Sequence, residues 1–324
     1  MDGRANIKHH FIPQCYLRKF SNTEKSIWTY DKINSKIYNS AIDNVCCIDN
    51  FYKLSEKYLR NNPQDVDKAL TIECDYFSYY IEPEYNMLIN KLISNKDTWL
   101  IDKTKDKAFS KDQKKAFSRH IVIQYFRLKE TRDIISSAYD NSMPKLMDIF
   151  KELVAQTEND PKINEVDINI DYDPALLHAN HSFLNDKLVS DFSNALSENY
   201  WSFLVSKNSR FYTSDYPIVV EPHVPDVIPE NLGLTQYGAE LTFPITKDIL
   251  VTIWDKRYFA DKKDLDCLFY FIDSKEERRQ NSFRYFYAKR HVFSFHNDFK
   301  LIDLHKIINN NCHYFMGTTN NRIL

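Results

Sequence analysis

The most regular apolar pattern in this sequence lies between residues 111 and 156. Large apolar side chains recur there at spacings of three and four residues, at Phe117, Ile121, Tyr125 and Leu128. This spacing is typical of an α-helix with one buried face. Pro144 lacks a backbone N–H, so it predicts a kink or a new helix start inside the segment. A second long helix is predicted over residues 174–197. The middle of the chain is therefore expected to be helical.

The stretches on either side of this helical middle favour strands. Near the N-terminus, the β-rich residues 27–30 and 36–38 flank a short polar turn, which predicts a β-hairpin. After residue 200, β-branched and aromatic residues come in several short runs with few helical patterns among them. Such a succession indicates a mainly antiparallel sheet. The predicted fold class is α+β: an N-terminal β element, long central helices and a mainly antiparallel C-terminal sheet.

The chain length is compatible with one large domain or two smaller ones. Residues 157–173 are acidic and asparagine-rich, which is typical of a surface loop. We expect residues 1–324 to form a single compact domain, with a candidate sub-boundary near residues 157–173 between the helical part and the C-terminal sheet.

Composition argues against several common classes of function. The net charge is -2, so no global basic field attracts nucleic acid. Only 4 glycines occur, and none lies in a nucleotide-binding loop motif. The 6 cysteines form no CxxC pair, which fits reduced thiols and predicts a cytoplasmic location. No leader segment and no apolar window of about 18 residues is visible, so we expect neither export nor a membrane partner.

The N-terminal stretch HHFIPQCYLRKF, residues 9–20, is unusually dense in polar chemistry. It offers two imidazoles, an amide and a guanidinium, at His9, His10, Gln14 and Arg18. Three interpretations stay open. One histidine could act as a general base, as in nucleases with a ββα-metal motif, although the downstream metal ligand of that motif is missing. His10 and His120 could instead assemble a metal site with Asp215 or Glu82. Finally, the stretch could simply satisfy buried backbone groups.

Two later stretches could complete a site. On a helix, His120, Gln124 and Arg127 would share one stripe, which could grip an anion or could simply face solvent. Ser214 and Asp215 end a predicted strand just before a proline. The carboxylate could orient a histidine or hold a metal, but serine and aspartate before proline are also ordinary turn chemistry.

Four blocks of the sequence resemble, in order and spacing, the domain-of-unknown-function family 4238. They are HHFIPQCYLRKF, IVIQYFRLKETR, RFYTSDYPIVV and NSFRYFYAKRHVFS. The matching positions are His9 or His10, Pro13, Gln14, Leu17, Arg18 and Phe20, then Gln124 and Arg127, then Ser214, Asp215 and Pro217, and last Asn281 and Ala288. Where the family usually has Thr-Pro, this chain has Leu128-Lys129, which predicts an uninterrupted helix at that point.

The resemblance selects a set of polar residues that suits binding and hydrolysing a phosphodiester or similar anion. We therefore predict a hydrolase of a phosphate-containing substrate, with nucleic acid or a nucleotide as partner and a divalent metal as candidate cofactor. A metal-dependent nuclease with a defence or toxin role would fit. The predicted catalytic residues are His9, His10, Gln14 and Asp215, and the predicted substrate-binding residues are Arg18, Gln124, Arg127, Ser214 and Asn281. The alternative is a non-catalytic module that binds a nucleotide or a protein.

Overall fold

The computed structural model describes residues 7–102, 106–166, 171–225 and 233–305. The strands are β1 (Lys8–His10), β2 (Ser26–Asp31), β3 (Lys36–Ala41), β4 (Cys47–Asp49), β5 (Tyr200–Val205), β6 (Thr213–Ser214), β7 (Val219–Pro222), β8 (Ala239–Pro244), β9 (Ile249–Trp254), β10 (Leu268–Phe271) and β11 (His291–Ser294). The α-helices are α1 (Gln14–Leu17), α2 (Glu56–Asn61), α3 (Glu82–Asp102), α4 (Lys111–Phe126), α5 (Lys129–Glu158), α6 (Pro174–Asn180), α7 (Asp186–Glu198) and α8 (Ser274–Tyr287).

The described chain contains further helical segments, and residues 300–305 are also helical. A π-helix, Ile72–Ile81, runs directly into α3. Short 3₁₀ turns lie at Arg18–Phe20, Ile42–Asn44, Pro63–Lys68, Pro161–Glu165 and Ala260–Leu265. Together, these elements confirm the predicted α+β class, with long central helices between a small N-terminal β element and a C-terminal sheet. None of the described helices combines the length and the apolar character needed to cross a bilayer.

The strands form two larger sheets and one small ribbon. The five-stranded sheet has the order β10-β5-β9-β8-β7, with β10 parallel to β5 and the other neighbours antiparallel. The second sheet has the order β3-β2-β11-β6 and is antiparallel throughout. This pairing confirms the predicted N-terminal hairpin and joins it to a strand from the end of the chain. Strands β1 and β4 pair separately as a ribbon.

One hydrophobic core includes residues from the N-terminal block, the helical middle and the five-stranded sheet. It therefore takes side chains from both sides of residues 157–173. The single domain and its sub-boundary stay predictions, since residues 167–170 of that segment lie outside the described ranges.

The helical middle differs from the sequence-based expectation at one point that matters for the site. The uninterrupted helix expected at Leu128-Lys129 is wrong, because α4 ends at Phe126 and Leu128 is extended, with φ -62 and ψ 148. The extended backbone turns the Leu128 side chain into the core, where it is fully buried. In turn, α5 passes through Pro144 without a new start. The helix expected over 174–197 is divided into α6 and α7.

Two aromatic-to-alanine substitutions, one in the core and one at the surface, should differ greatly in their effect on the free energy of unfolding. The Trp201 indole is fully buried and its N–H donates to the Leu196 carbonyl oxygen at 2.9 Å. We expect Trp201→Ala to lower the free energy of unfolding by about 3–5 kcal/mol, because it leaves a cavity in the core and removes the indole hydrogen bond. Tyr79 is 71% exposed, so Tyr79→Ala should change it by less than about 0.5 kcal/mol. Urea denaturation measures both, and equal losses would contradict this account of the core.

Candidate functional site

Both histidines of the N-terminal block are buried on β1. The His9 ring stacks on Tyr52 with a centroid distance of 5.9 Å, and its Nδ1 accepts a hydrogen bond from the Tyr52 backbone N–H at 2.8 Å. Burial, and then the nearby charges of Arg127 and of His10 when protonated, lower the pKa of His9 to about 4. The neutral ring therefore carries its proton on Nε2. That Nε2 has no hydrogen-bond partner among the described residues.

His10 begins a polar chain that leads to the surface. The Gln14 side-chain nitrogen lies 3.4 Å from His10 Nε2, and the Gln14 side-chain oxygen accepts a hydrogen bond from Arg18 Nη2 at 2.6 Å. The Arg18 side chain is exposed. Burial and the Arg127 guanidinium lower the pKa of His10, while the Glu82 carboxylate opposes this shift. His10 is thus a neutral base connected by one amide to an exposed cation.

Arg127 lies at the break between α4 and α5, with its side chain turned inward. The residue is 1% exposed, its Nη1 donates to Glu82 Oε1 at 2.8 Å, and its guanidinium carbon lies 3.9 Å from the centre of the Phe77 ring. Its backbone carbonyl accepts a hydrogen bond from the Tyr52 hydroxyl at 2.8 Å. Arg127 Nη2 lies 3.8 Å from Glu73 Oε2, beyond hydrogen-bond length. Neither Arg127 Nε nor Nη2 has a hydrogen-bond partner within the described structure.

Backbone geometry places two carboxylates beside Arg127. Glu73 and Glu82 are nine residues apart, and the chain between them is the π-helix. A π-helix has roughly 4.4 residues per turn, so nine residues make about two full turns and both side chains share one face. In an α-helix, with about 3.6 residues per turn, nine residues make about two and a half turns and would separate them to opposite faces. Phe77, four residues after Glu73, lies on the same face under the guanidinium.

The environment of Glu73 sets it apart from an ordinary carboxylate. Burial raises the pKa of Glu73 to about 7, against the opposing effect of Arg127, while Glu82 raises it further and the backbone N–H of His10 lowers it. Its Oε2 has no hydrogen-bond partner among the described groups. Glu73 therefore changes its protonation state near neutral pH.

Gln124 completes the group, which we call the Arg127 cluster and define as His9, His10, Glu73, Glu82, Gln124 and Arg127. The Gln124 amide nitrogen donates to the Phe11 carbonyl oxygen at 3.1 Å, and the described structure gives its Oε1 no partner. Buried polar atoms are nearly always paired, so this density of unpaired donors and acceptors is unusual. The cluster can donate hydrogen bonds to an anionic group and can exchange protons through His10 and Glu73.

His120 was predicted to share a helix stripe with Gln124 and Arg127, but it does not belong to the cluster. Its Nε2 lies 3.1 Å from Glu84 Oε2 and its ring stacks on Tyr85. The metal site considered for His10, His120 and Glu82 is not assembled, since Glu82 pairs with Arg127 and His120 with Glu84. In the described ranges, no three His, Cys, Asp or Glu side chains are grouped so that they could hold a metal ion.

The C-terminal candidate residues bind the backbone of their own region. The Asp215 carboxylate accepts hydrogen bonds from the backbone N–H groups of Lys289, Arg290 and His291 at 2.7–2.9 Å. This fixes the turn between α8 and β11. The Ser214 hydroxyl oxygen accepts the backbone N–H of Tyr216 at 3.1 Å.

Asn281 acts in the same way. Its side chain accepts the backbone N–H of Tyr212 and donates to the backbone carbonyl oxygen of Arg210, each at 2.8 Å. Within the described residues, no hydrogen bond or ion pair joins Ser214, Asp215 or Asn281 to His9 or His10. The structure therefore brings the candidate residues of the first two sequence blocks together. Those of the last two blocks bind backbone around β6 and β11, although the third block contacts the first through the Tyr16 and Thr213 hydroxyls, which are 2.6 Å apart.

Sequence reasoning missed Glu73 and considered Glu82 only as a metal ligand. In an α-helix, residues nine apart lie on opposite faces, so the sequence offered no reason to place Glu73 beside Glu82. The two carboxylates share a face because the segment is a π-helix. Tyr52, which contacts both His9 and Arg127, was also missed, because it lies in a turn and not on a periodic element.

The sequence profile described as "Protein of unknown function (DUF4238)" matches residues 8–298 of the chain. No curated protein and no solved structure matches the chain at a significant level.

Asp215 provides a test of its backbone-binding role. In Asp215→Asn, an amide replaces one of two carboxylate oxygens, so its N–H₂ group faces a backbone donor and at least one N–H loses its acceptor. We expect the free energy of unfolding to fall by about 1–3 kcal/mol. Urea denaturation measures this loss, with Asp67→Asn at an exposed position as the matched control. Equal stability of the two variants would contradict the role assigned to the carboxylate.

Three buried groups predict how stability depends on pH. Burial lowers the pKa of both His9 and His178 from 6.5 to about 4. Their contribution to stability is therefore complete above about pH 6.5 and is lost as the pH falls toward 4. Glu73, with its pKa raised from 4.5 to about 7, contributes stability that is complete below about pH 4.5 and is lost as the pH rises through 7. Protonation of Glu73 thus offsets part of the stability that the two histidines lose as the pH falls.

We accordingly expect Glu73→Gln to steepen the decline in stability between about pH 6.5 and pH 4.5. The measurement is the free energy of unfolding in urea at several pH values. His181→Gln, at an exposed histidine, should leave the slope as it is in the unmodified protein. A slope that Glu73→Gln does not change would show that Glu73 does not hold a proton in this range.

Proposed function

We propose that this chain, which belongs to the DUF4238 family of proteins of unknown function, is a hydrolase that acts on a phosphate-containing substrate, with nucleic acid as the leading class. The observation that carries the proposal is the set of unpaired donors at the Arg127 cluster. Arg127 Nε and Nη2 and the Nε2 of neutral His9 are buried and unpaired in the described structure. Preorganised donors of this kind stabilise the negative charge that develops on a phosphoryl group during hydrolysis.

The roles follow from position and protonation. His10 is the general base, because its lowered pKa keeps it neutral and able to accept a proton from water. Gln14 orients the His10 ring, and the exposed Arg18 attracts the phosphate group to the outer end of the chain. Gln124 offers its free Oε1 as an acceptor for the attacking water. In this proposal Ser214, Asp215 and Asn281 are positioning residues that fix the turn at β11.

A second candidate function is a non-catalytic module that binds a nucleotide or a protein. The observation that favours it is the burial of Arg127 and its direct pairing with Glu82, because mutually satisfied charges are typical of a closed structural site. The two functions differ in whether a substrate is consumed.

The proposal predicts the outcome of a hydrolysis assay on single- and double-stranded DNA and RNA and on nucleotides, with Mg²⁺, with Mn²⁺ and with a chelator. We expect His10→Gln to lower kcat by roughly 10²–10⁴-fold, because the base is lost. Arg127→Lys should lower it by roughly 10²–10³-fold, because lysine cannot supply the same two N–H donors. Comparison of the assays with Mg²⁺, with Mn²⁺ and with the chelator tests whether hydrolysis requires a divalent cation.

His181→Gln and Arg60→Lys are matched controls at exposed positions and should retain full activity. Circular dichroism and urea denaturation confirm that the variants are folded. If the unmodified protein leaves every substrate intact, the hydrolase is excluded for these classes. Retained binding of a nucleotide would then support the binding module.

A further inference from the structure

The pairing of Arg127 with its two carboxylates is unequal. Glu82 accepts a hydrogen bond from Nη1 at 2.8 Å, whereas Glu73 Oε2 stays 3.8 Å from Nη2. A fully ionised Glu73 would gain strongly from closing this short distance inside a buried site. The open separation leaves hydrogen-bonding capacity on both atoms, and neither has a partner in the described structure.

Three buried donors of the Arg127 cluster lack an acceptor in the described structure. They are Arg127 Nε, Arg127 Nη2 and the Nε2 of His9, on residues that are each more than nine-tenths buried. A buried donor without a partner destabilises a protein by about 1–3 kcal/mol, so a ligand that supplies acceptor oxygens would be stabilised here. Oxyanions such as phosphoryl and sulfuryl groups carry several acceptor oxygens and no obligatory donor.

We propose that the Arg127 cluster binds an oxyanion only while Glu73 carries a proton. The inference rests on the same site as the proposed hydrolase and specifies the state in which that site accepts a phosphate group. A protonated Glu73 donates its O–H to the anion and adds a fourth donor to the three already present. An ionised Glu73 repels the anion and competes with it for Arg127.

Charged and titratable groups reach Glu73 from several elements. Arg127 at the end of α4, Glu82 at the start of α3 and Tyr52 in the turn after β4 interact with it electrostatically, and the backbone N–H of His10 on β1 donates to it. The His9 and His10 rings interact with Arg127. The two histidines are neutral near pH 7, because their pKa values are lowered. Arg127 and Glu82 form an ion pair, so the proton on Glu73 decides whether the cluster is neutral or negative.

The carboxylates are the more exposed side chains at the gap. The side chains of Glu73 and Glu82 are 13% and 21% exposed, whereas the Arg127 side chain is only 1% exposed. In this proposal an oxyanion from solvent passes the two carboxylates before it reaches the guanidinium. Because Glu82 is paired with Arg127, the protonation of Glu73 decides whether the anion is accepted.

The test is a titration with sulfate, which keeps its double charge between about pH 6 and pH 8 and so adds no titration of its own. Binding is followed by NMR on protein with ¹⁵N-labelled arginine, using the Arg127 Nε–H signal. With a Glu73 pKa of about 7, the protonated fraction falls by about tenfold between these two pH values, and the apparent affinity should fall by about tenfold with it. Calorimetry in buffers of different ionisation enthalpy should show uptake of close to one proton per sulfate at about pH 8.

Variants separate Glu73 from other causes of pH dependence. Glu73→Gln keeps an N–H donor and cannot ionise, so it should bind sulfate with the same affinity at about pH 6 and pH 8. Glu84→Gln removes a carboxylate that pairs with His120 outside the cluster and should retain the tenfold change. The proposal is overturned if sulfate does not bind at about pH 6, if the unmodified protein binds equally at both pH values, or if Glu73→Gln retains the pH dependence.

The outcomes of this test and of the hydrolysis assay are independent. Proton-linked sulfate binding in a protein that hydrolyses no substrate would remove the proposed hydrolase and retain the oxyanion site. Hydrolysis of a substrate by a protein whose sulfate binding does not depend on pH would support the hydrolase and remove the proton-linked oxyanion site.

Discussion

The buried ion pair between Arg127 and Glu82 is the interaction on which the candidate site depends. A guanidinium enclosed against Phe77 would be strongly destabilising without a counter-charge, and Glu82 supplies that charge at 2.8 Å. Glu73 lies on the same side of Arg127 as Glu82, 3.8 Å from Nη2, because residues Ile72–Ile81 between them are π-helical. The Tyr52 hydroxyl then holds the Arg127 carbonyl where α4 ends. Backbone geometry at two helix boundaries thus creates a polar cluster inside an otherwise apolar core.

Local patterns were sufficient to predict much of the fold. The β2–β3 hairpin, the helices of the middle and the strand-rich character after residue 200 were visible in the sequence, because each is an apolar run or a helical pattern within a short segment. The break at Leu128 was not visible, since its cause is tertiary: Leu128 gains burial and the Arg127 carbonyl becomes available to Tyr52. The order of strands in the sheets also depends on contacts between distant segments.

The candidate site shows the same division. Similarity to a family selected His9, His10, Gln14, Arg18, Gln124 and Arg127, and the structure brings all of them to one region. Glu73 could not be found, because the standard helical period places it opposite Glu82. The sequence left two interpretations of Ser214 and Asp215 open. Ser214 accepts the N–H of Tyr216 two residues on, as local turn chemistry predicts, whereas Asp215 binds backbone N–H groups of Lys289, Arg290 and His291 in a distant segment. A bond between segments so far apart in sequence cannot be predicted from the local pattern.

The position of β11 has a consequence for the order in which the chain folds. This strand lies between β2 and β6, yet it begins at His291, far along the chain from β2 and β3. A two-stranded hairpin is only marginally stable by itself, so β2 and β3 are completed only by a partner that is synthesised long after them. The second sheet cannot be completed on a growing chain until α8 has formed and Asp215 has bound the backbone N–H groups of the turn that follows α8. A ribosome-bound nascent chain would therefore expose the edge of β2 until β11 has emerged.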